Sequence, residues 1–181
     1  FFMGDDPDAF TLDDAGLQRR AADFLGERGA QAIALYRRRY PGATPSDLYI
    51  QMWSDFSIMT ATLRQAERKA AQGRAPVFVY RFDWQSPVLG GKLKSLHTVE
   101  NAFVWNDIEG SPLVAGADAD VKRLAGQVSE AWVTFAMAGA PSGGLGKWPG
   151  YDLQSRSTML INTTSRIEND PTREERIFLS A

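Results

Sequence analysis

No cysteine occurs in the 181 residues, and only one histidine does. The first absence excludes disulfides and thiolate metal ligands. The two together leave no zinc set of the usual Cys/His kind, and no cofactor is expected. Neither sign of charge dominates. Twenty Lys+Arg stand against 22 Asp+Glu, the formal charge is −2, and both signs are spread along the chain. That balance excludes the basic stripe of a nucleic-acid binder, so no nucleic-acid partner is expected. The short clusters Arg19-Arg20 and Arg37-Arg38-Arg39 fall on predicted helices and read as solvated faces. No apolar run approaches the ~20 residues needed to span a bilayer, and no membrane partner is expected. An initiator methionine is also lacking. The chain starts at Phe1-Phe2-Met3-Gly4, with no charged segment followed by an apolar stretch. It is expected to be a piece of something longer. Absence of cysteine and an excess of arginine over lysine suit a cytoplasmic bacterial protein, with any export signal lying ahead of Phe1.

What is present is ordinary globular material. Hydrophobic residues make up 44%, enough to bury a core. Thr11-Leu12-Asp13-Asp14 resembles a capping box with Asp in place of Glu, which predicts a helix start there. Leu17, Ala21, Phe24 and Leu25 follow at helical spacing, interrupted by Gly26 and Gly29. A second short helix is predicted around Ile33, Leu35 and Tyr36, ending at Tyr40-Pro41. Ser46 is the expected cap of a longer helix running toward Gln72-Gly73, with Met52, Phe56, Met59, Leu63, Ala66 and Ala70 on one face. Its first half, Leu48 to Met59, is apolar almost all round and is expected to be buried.

The best strand is Pro76-Val77-Phe78-Val79-Tyr80-Arg81-Phe82-Asp83. Its nearly continuous apolar run suits an inner strand of a parallel sheet. A Gly- and Pro-rich loop follows, from Ser86 to Leu96. Asp118 is the expected cap of a long helix carrying Val121, Leu124, Val128, Trp132 and Phe135, stopped by Gly139 and Pro141. Thr158 to Ile161 is a short strand, Arg166 to Glu168 is a candidate to pair with it, and Pro171-Thr172 opens a last amphipathic helix ending near Leu179. This order reads as α/β. One good buried strand cannot build a doubly covered sheet, so the remaining strands are expected in a missing half.

The single histidine, His97, ends the loop after the best strand. Catalytic groups of α/β enzymes gather in loops at the C-terminal ends of strands. A neutral imidazole there can take a proton from a serine near pH 7. Position alone favours a satisfied surface or core histidine with no chemical role. No nucleophile accompanies it. A nucleophile elbow needs G-x-S-x-G on a strand-to-helix turn, whereas Ser142 lies in G-A-P-S-G-G after a helix, and Ser111 merely follows Gly110. No H-G-G-G-type oxyanion loop occurs. Gly143-Gly144-Leu145-Gly146-Lys147 and Gly90-Gly91-Lys92 lack phosphate-loop spacing. Asn162-Thr163-Thr164 is a formal glycosylation sequon. Asp55, inside the apolar helix, is expected to satisfy buried backbone or an arginine. Met52, Phe56, Ile58 and Met59 suit either core packing or the lining of an acyl or alcohol pocket.

Three segments carry a resemblance. The first is Val79-Tyr80-Arg81-Phe82-Asp83-Trp84 with Ser86-Pro87 and Gly90-Gly91. The second is His97-x-x-Glu100-x-x-Phe103-Val104-Trp105. The third is Ser129-x-x-Trp132-x-x-Phe135-Ala136-x-x-Gly139-x-Pro141, then Trp148-Pro149-x-Tyr151-Asp152. In this order, over about residues 76 to 170, they resemble the C-terminal third of the type-B carboxylesterases; Phe1 to Leu17 resembles the family as well. Ala102 departs mildly, since relatives often carry proline there.

The resemblance implies the C-terminal portion of an α/β-hydrolase fold, a mainly parallel sheet flanked by helices, with residues 1–181 forming part of a single domain. It implies a triad in the order serine, glutamate, histidine, with the histidine falling on His97. The serine and the oxyanion donors are implied in an N-terminal part of the same protein, and the glutamate just before Phe1. Asp5, Asp6 and Asp8 are acidic and nearby in sequence. Glu100, one helical turn after His97, reads as a structural ion pair or cap. The implied activity is hydrolysis of uncharged carboxylic esters, with carbamates and amides open to the same triad. This chain alone is expected to be inactive. The alternatives are a non-catalytic, adhesion-type protein on the esterase fold, and a free-standing domain with an unrelated role, which exposed strand edges disfavour.

Overall fold

The computed structural model describes residues 6–181; the opening Phe1-Phe2-Met3-Gly4 and Asp5 lie outside the described residues. Two compact units appear. One is helical and comprises the described residues up to Gln65 together with Thr172–Ala181; the other, Ala66–Pro171, contains the sheet.

In the helical unit, α1 (Asp14–Leu25) is capped by Asp13, whose carboxylate accepts the Gly16 N–H at 2.7 Å. Thr11 is therefore not the cap; its hydroxyl turns back to Asp8 O. The cap shifts because Asp13 stands directly before the first helical residue and reaches the N3 amide. α2 (Gly29–Arg39) begins against α1: a Cβ on Gly29 would lie 3.0 Å from Ala21 C and Ala22 N, so only glycine permits this approach. α3 (Pro45–Ser54) is capped by Thr44 and Asp47, which form a reciprocal capping box behind Pro45. Ser46, the expected cap, instead accepts the Leu12 N–H at 2.9 Å. Proline favours the first helical position, which puts the cap one residue earlier, on Thr44.

α3 does not run smoothly into α4 (Thr60–Ala71). A π-helical turn, Asp55–Met59, intervenes. Its extra residue advances the helix phase. Met52 stays fully buried, while Phe56 and Ile58 become 40% and 55% exposed. The single buried face predicted across Leu48 to Met59 is thus broken. Asp55, in this turn, is buried and accepts hydrogen bonds from Tyr36 Oη (2.8 Å) and Gln51 Nε2 (2.9 Å). Its own carbonyl accepts the Thr60 hydroxyl. α7 (Arg173–Ser180) completes this unit; Arg39 and Tyr40 both donate to the fully buried Glu175 carboxylate at 3.1 Å. The core gathers Leu17, Ala32, Tyr36, Leu48 and Met52.

The sheet unit holds β1 (Val79–Phe82), β2 (Ser157–Ile161) and β3 (Arg166–Asn169) in the order β1-β2-β3. β1 and β2 are parallel, with Val79 opposite Thr158 and Phe82 opposite Ile161; β2 and β3 are antiparallel. Among the described strands the inner one is β2, buried along its whole length, and β1 pairs with β2 alone. The strand expected over 76–83 is thus shorter and half-exposed within these residues: Tyr80 is 38% exposed. α5 (Val99–Val104) and α6 (Ala119–Ala138) cover the sheet with a core of Val99, Phe103, Leu124, Val128, Met159 and Ile161. α6 matches its reading from sequence: Asp118 caps Val121 N–H at 2.9 Å, and Gly139 ends it at φ 72°.

Candidate active site

β1 and β2 run in parallel and end together, at Phe82 and Ile161. The segments leaving these ends are tied by side chains to neighbouring backbone. Asp83 N–H continues the pairing onto Ile161 O at 2.8 Å. Asn162 opens the β2–β3 turn, where its Oδ1 accepts Thr163 N–H at 2.8 Å and its Nδ2 donates to Asp83 O at 3.4 Å. The sequon asparagine is therefore a turn residue engaged with β1. Arg81 and Asp83 form a two-point ion pair, at 2.6 and 2.8 Å, beside the same strand end.

The loop from β1 to α5 is compact. Ser86 is almost completely buried. Its N–H donates to Lys94 O at 3.0 Å, its hydroxyl donates to Leu113 O at 2.7 Å, and the same oxygen accepts Val88 N–H at 3.2 Å. Ser95 Oγ donates to Phe82 O at 2.6 Å, returning the far end of the loop to the strand it left. Left-handed backbone at Leu89, Gly90, Gly91, Lys94 and Thr98 folds it this tightly. Positive φ is uncommon for a β-branched residue, so Thr98 at φ 71° marks a turn that its surroundings enforce.

His97 sits in that turn, exposed, immediately before Thr98 and α5. Behind it α5 is anchored by Phe103, fully buried and packed on the rings of Phe82 and Trp84, each at a centroid distance of 5.0 Å. The histidine therefore sits in the turn that enters a short helix fixed to the exit of β1. Glu100 lies half-buried in the first turn of α5. Burial, and then the negative charge of Glu100, push the Tyr80 phenol above its ordinary value. Glu100 thus faces β1 electrostatically.

Other residues singled out by sequence fall elsewhere. Ser142 is exposed in the turn after α6, its N–H donating to Thr134 Oγ1, and is not on a strand-to-helix turn. Ser86 lies in the loop from β1 to α5, but its hydroxyl is buried and committed to Leu113 O. Asp6, in the helical unit, is held by Arg20, which lowers its carboxyl below the ordinary value; Asp8 is exposed in a short turn. Asp5 lies outside the described residues. Met52 belongs to the helical core, whereas Phe56 packs against Phe24 and Trp53 at the surface. Among the described residues no group of three or more Asp, Glu or His is placed to hold a metal, and no helix is long and apolar enough to cross a membrane. The sequence reading named Ser86 within a segment that carries the resemblance and Asn162 as a sequon, but gave neither of them, nor Ser95, a place in the fastening of this loop.

This loop, strand and helix arrangement is that of an α/β-hydrolase. The family model for the carboxylesterase family matches residues 27–179, and the chain belongs to that family. The chain is 31% identical over 172 residues to the para-nitrobenzyl esterase of Bacillus subtilis, which covers 94% of this chain and 34% of that protein. It is 28% identical over 150 residues to the phenmedipham hydrolase of Pseudarthrobacter oxydans, covering 80% of this chain and 29% of that one. Among solved structures it is similar to a carboxylesterase of Geobacillus stearothermophilus, with a TM-score of 0.82 at 28% identity, over 98% of this chain and 37% of that one. The chain therefore spans about a third of the length of the relatives it matches.

Proposed function

We propose that this chain is part of a serine hydrolase acting on carboxylic esters and that His97 is its general base. The observation that carries the reading is the place of the one histidine in the chain: an exposed turn in the loop that leaves a parallel strand, just ahead of a helix anchored by Phe103, in a member of the carboxylesterase family. The similarity to a para-nitrobenzyl esterase supports an ester as the substrate. Carbamates and amides are open to the same chemistry. In this reading both units belong to one domain with an N-terminal part, which supplies the serine, the acid and the oxyanion donors.

The steps follow from the chemistry of serine. Its hydroxyl is almost wholly protonated near neutral pH, so attack on an ester carbonyl needs a base within hydrogen-bond reach. One ring nitrogen of His97 takes the serine proton as the new C–O bond forms. The other donates to the carboxylate, which fixes the tautomer and stabilises the imidazolium. The tetrahedral oxyanion collapses, His97 returns the proton to the leaving alcohol, and an acyl-serine remains. Water then repeats the sequence and releases the acid.

Turnover of a chromogenic short-chain ester tests the division of labour. A longer protein that contains this chain turns the ester over and is inactivated by a serine-directed phosphonate, while the chain alone does neither. Turnover by the purified chain alone, insensitive to the phosphonate, contradicts the reading.

A further inference from the structure

We infer that Ser86 is a positioning residue for His97, acting through the loop that joins β1 to α5. The inference rests on His97 being the general base, and it concerns a residue that touches no reacting atom.

Ser86 joins three pieces of backbone, two within its own loop and one beyond α5. Its N–H donates to Lys94 O, three residues before His97. Its hydroxyl donates to Leu113 O, in the segment between α5 and α6. Its oxygen accepts Val88 N–H, at the start of the tight turn Val88–Gly91. All of this happens at 1% exposure, where water cannot replace a lost partner. The loop it ties contains left-handed Leu89, Gly90, Gly91 and Lys94, with left-handed Thr98 just beyond His97. Such backbone has accessible alternatives that are less strained, so the turn carrying His97 holds its shape only while it is tied. Ser95 makes one further tie, to Phe82 O, but from an exposed position where water competes. Loss of the Ser86 hydroxyl leaves the Leu113 carbonyl and the Val88 amide unpaired together. The loop then relaxes, and the imidazole at its end moves with it.

A misplacement of about 1 Å at a reacting group costs on the order of 10²-fold in rate. Binding of substrate does not depend on a base that acts only in the transition state, so the loss falls on kcat. Ser157 provides the control. It is also a buried serine of this sheet, 6% exposed, with its hydroxyl on Asn169 Oδ1 at 2.9 Å, but it starts β2, at the opposite end of the strands from the His97 loop.

The test compares Ser86→Ala, Ser86→Thr, Ser157→Ala and His97→Ala in the longer protein that carries this chain, on a short-chain chromogenic ester, with thermal midpoints measured alongside. Ser86→Ala is expected to lower kcat by about 10- to 100-fold with KM within about 3-fold. Ser86→Thr, which keeps the hydroxyl, is expected to recover most of that loss. Ser157→Ala is expected to keep kcat within about 2-fold even where its thermal midpoint falls as far. Should the alanine variant fail to fold, Ser86→Cys, which keeps the shape but weakens the donor, is expected to show the same fall in kcat. A wild-type kcat in Ser86→Ala, or in Ser86→Cys if that is the variant that folds, overturns the inference while His97→Ala is inactive. An equal loss of kcat in Ser157→Ala overturns it too. If His97→Ala retains wild-type kcat, the reading of the histidine itself falls, and the role of Ser86 falls with it.

Discussion

In the helical unit two buried carboxylates are held by other side chains. Tyr36 and Gln51 donate to Asp55, and Arg39 and Tyr40 donate to Glu175. In the loops that leave β1 and β2, polar side chains meet backbone instead: buried Ser86 on Leu113 O, exposed Ser95 on Phe82 O, half-buried Asn162 on Asp83 O. The contrast has a plain cause. Helices satisfy their own amides and carbonyls, so a polar side chain packed against the middle of a helix pairs with other side chains, and buried Ser46 finds a backbone partner only at Leu12, ahead of α1. Irregular loops leave backbone groups open, and side chains fill them. The first arrangement fixes the packing of helices. The second fixes the path of loops, and a loop whose path is fixed can hold a chemical group in one place.

The largest effect on stability expected from this contrast lies at Phe103. Phe103→Ala removes a fully buried ring that packs on Phe82 and Trp84. It is expected to cost about 3–5 kcal/mol in urea unfolding and to lower kcat of the folded protein as well, because the turn that holds His97 leads directly into α5. Stability lost without any change in kcat breaks the link between this core and the site. Asp55→Ala comes next. It strips Tyr36 Oη and Gln51 Nε2 of a buried acceptor. The expected cost is about 2–3 kcal/mol, with Asp55→Asn losing less because its amide oxygen still accepts. The Tyr36 phenol, held far above its ordinary value by burial and by the Asp55 charge, should become easier to ionise in the alanine variant, read as an earlier alkaline transition in its ultraviolet absorbance. An unchanged transition would remove Asp55 from the account of that network.

The smallest effect is one of pH. Asp6 is hydrogen-bonded and ion-paired to Arg20, which lowers its carboxyl below the ordinary value of 3.8. With the folded value the lower of the two, the unfolded state binds more protons between them. The contribution is therefore complete above the ordinary value and is lost as pH falls from about 3.8 toward the lower folded value. Both side chains are partly open to solvent, so added salt should shrink the effect. Arg20→Gln should abolish it. The measurement is the pH dependence of the urea midpoint in wild type and variant; identical curves contradict the assignment.

Much of this molecule was legible in its sequence. α6 was readable from Asp118 to Gly139 because cap, apolar period and stop all agree within the helix itself. The β2–β3 pairing was visible as two short runs. The π turn at Asp55 was not; its buried aspartate pairs with Tyr36, 19 residues away. Phe56 and Ile58, in the same turn, are exposed among the described residues, which was equally hidden. At the site, His97 could be placed after the best strand, but its fastening could not, since Ser86 reaches Leu113 across 27 residues. Local signals write local structure; ties between distant segments are written only in the fold.

The central claim is that His97 is the base. The most direct measurement is kcat for His97→Ala in the longer protein that carries this chain, on a short-chain ester, with folding checked by circular dichroism. The account predicts a fold left intact and kcat lowered by about 10⁴–10⁶-fold, the loss typical of a triad member. An exposed loop histidine without a chemical role changes stability by no more than about 0.5 kcal/mol and leaves turnover untouched. A His97→Ala protein with wild-type kcat would contradict the claim.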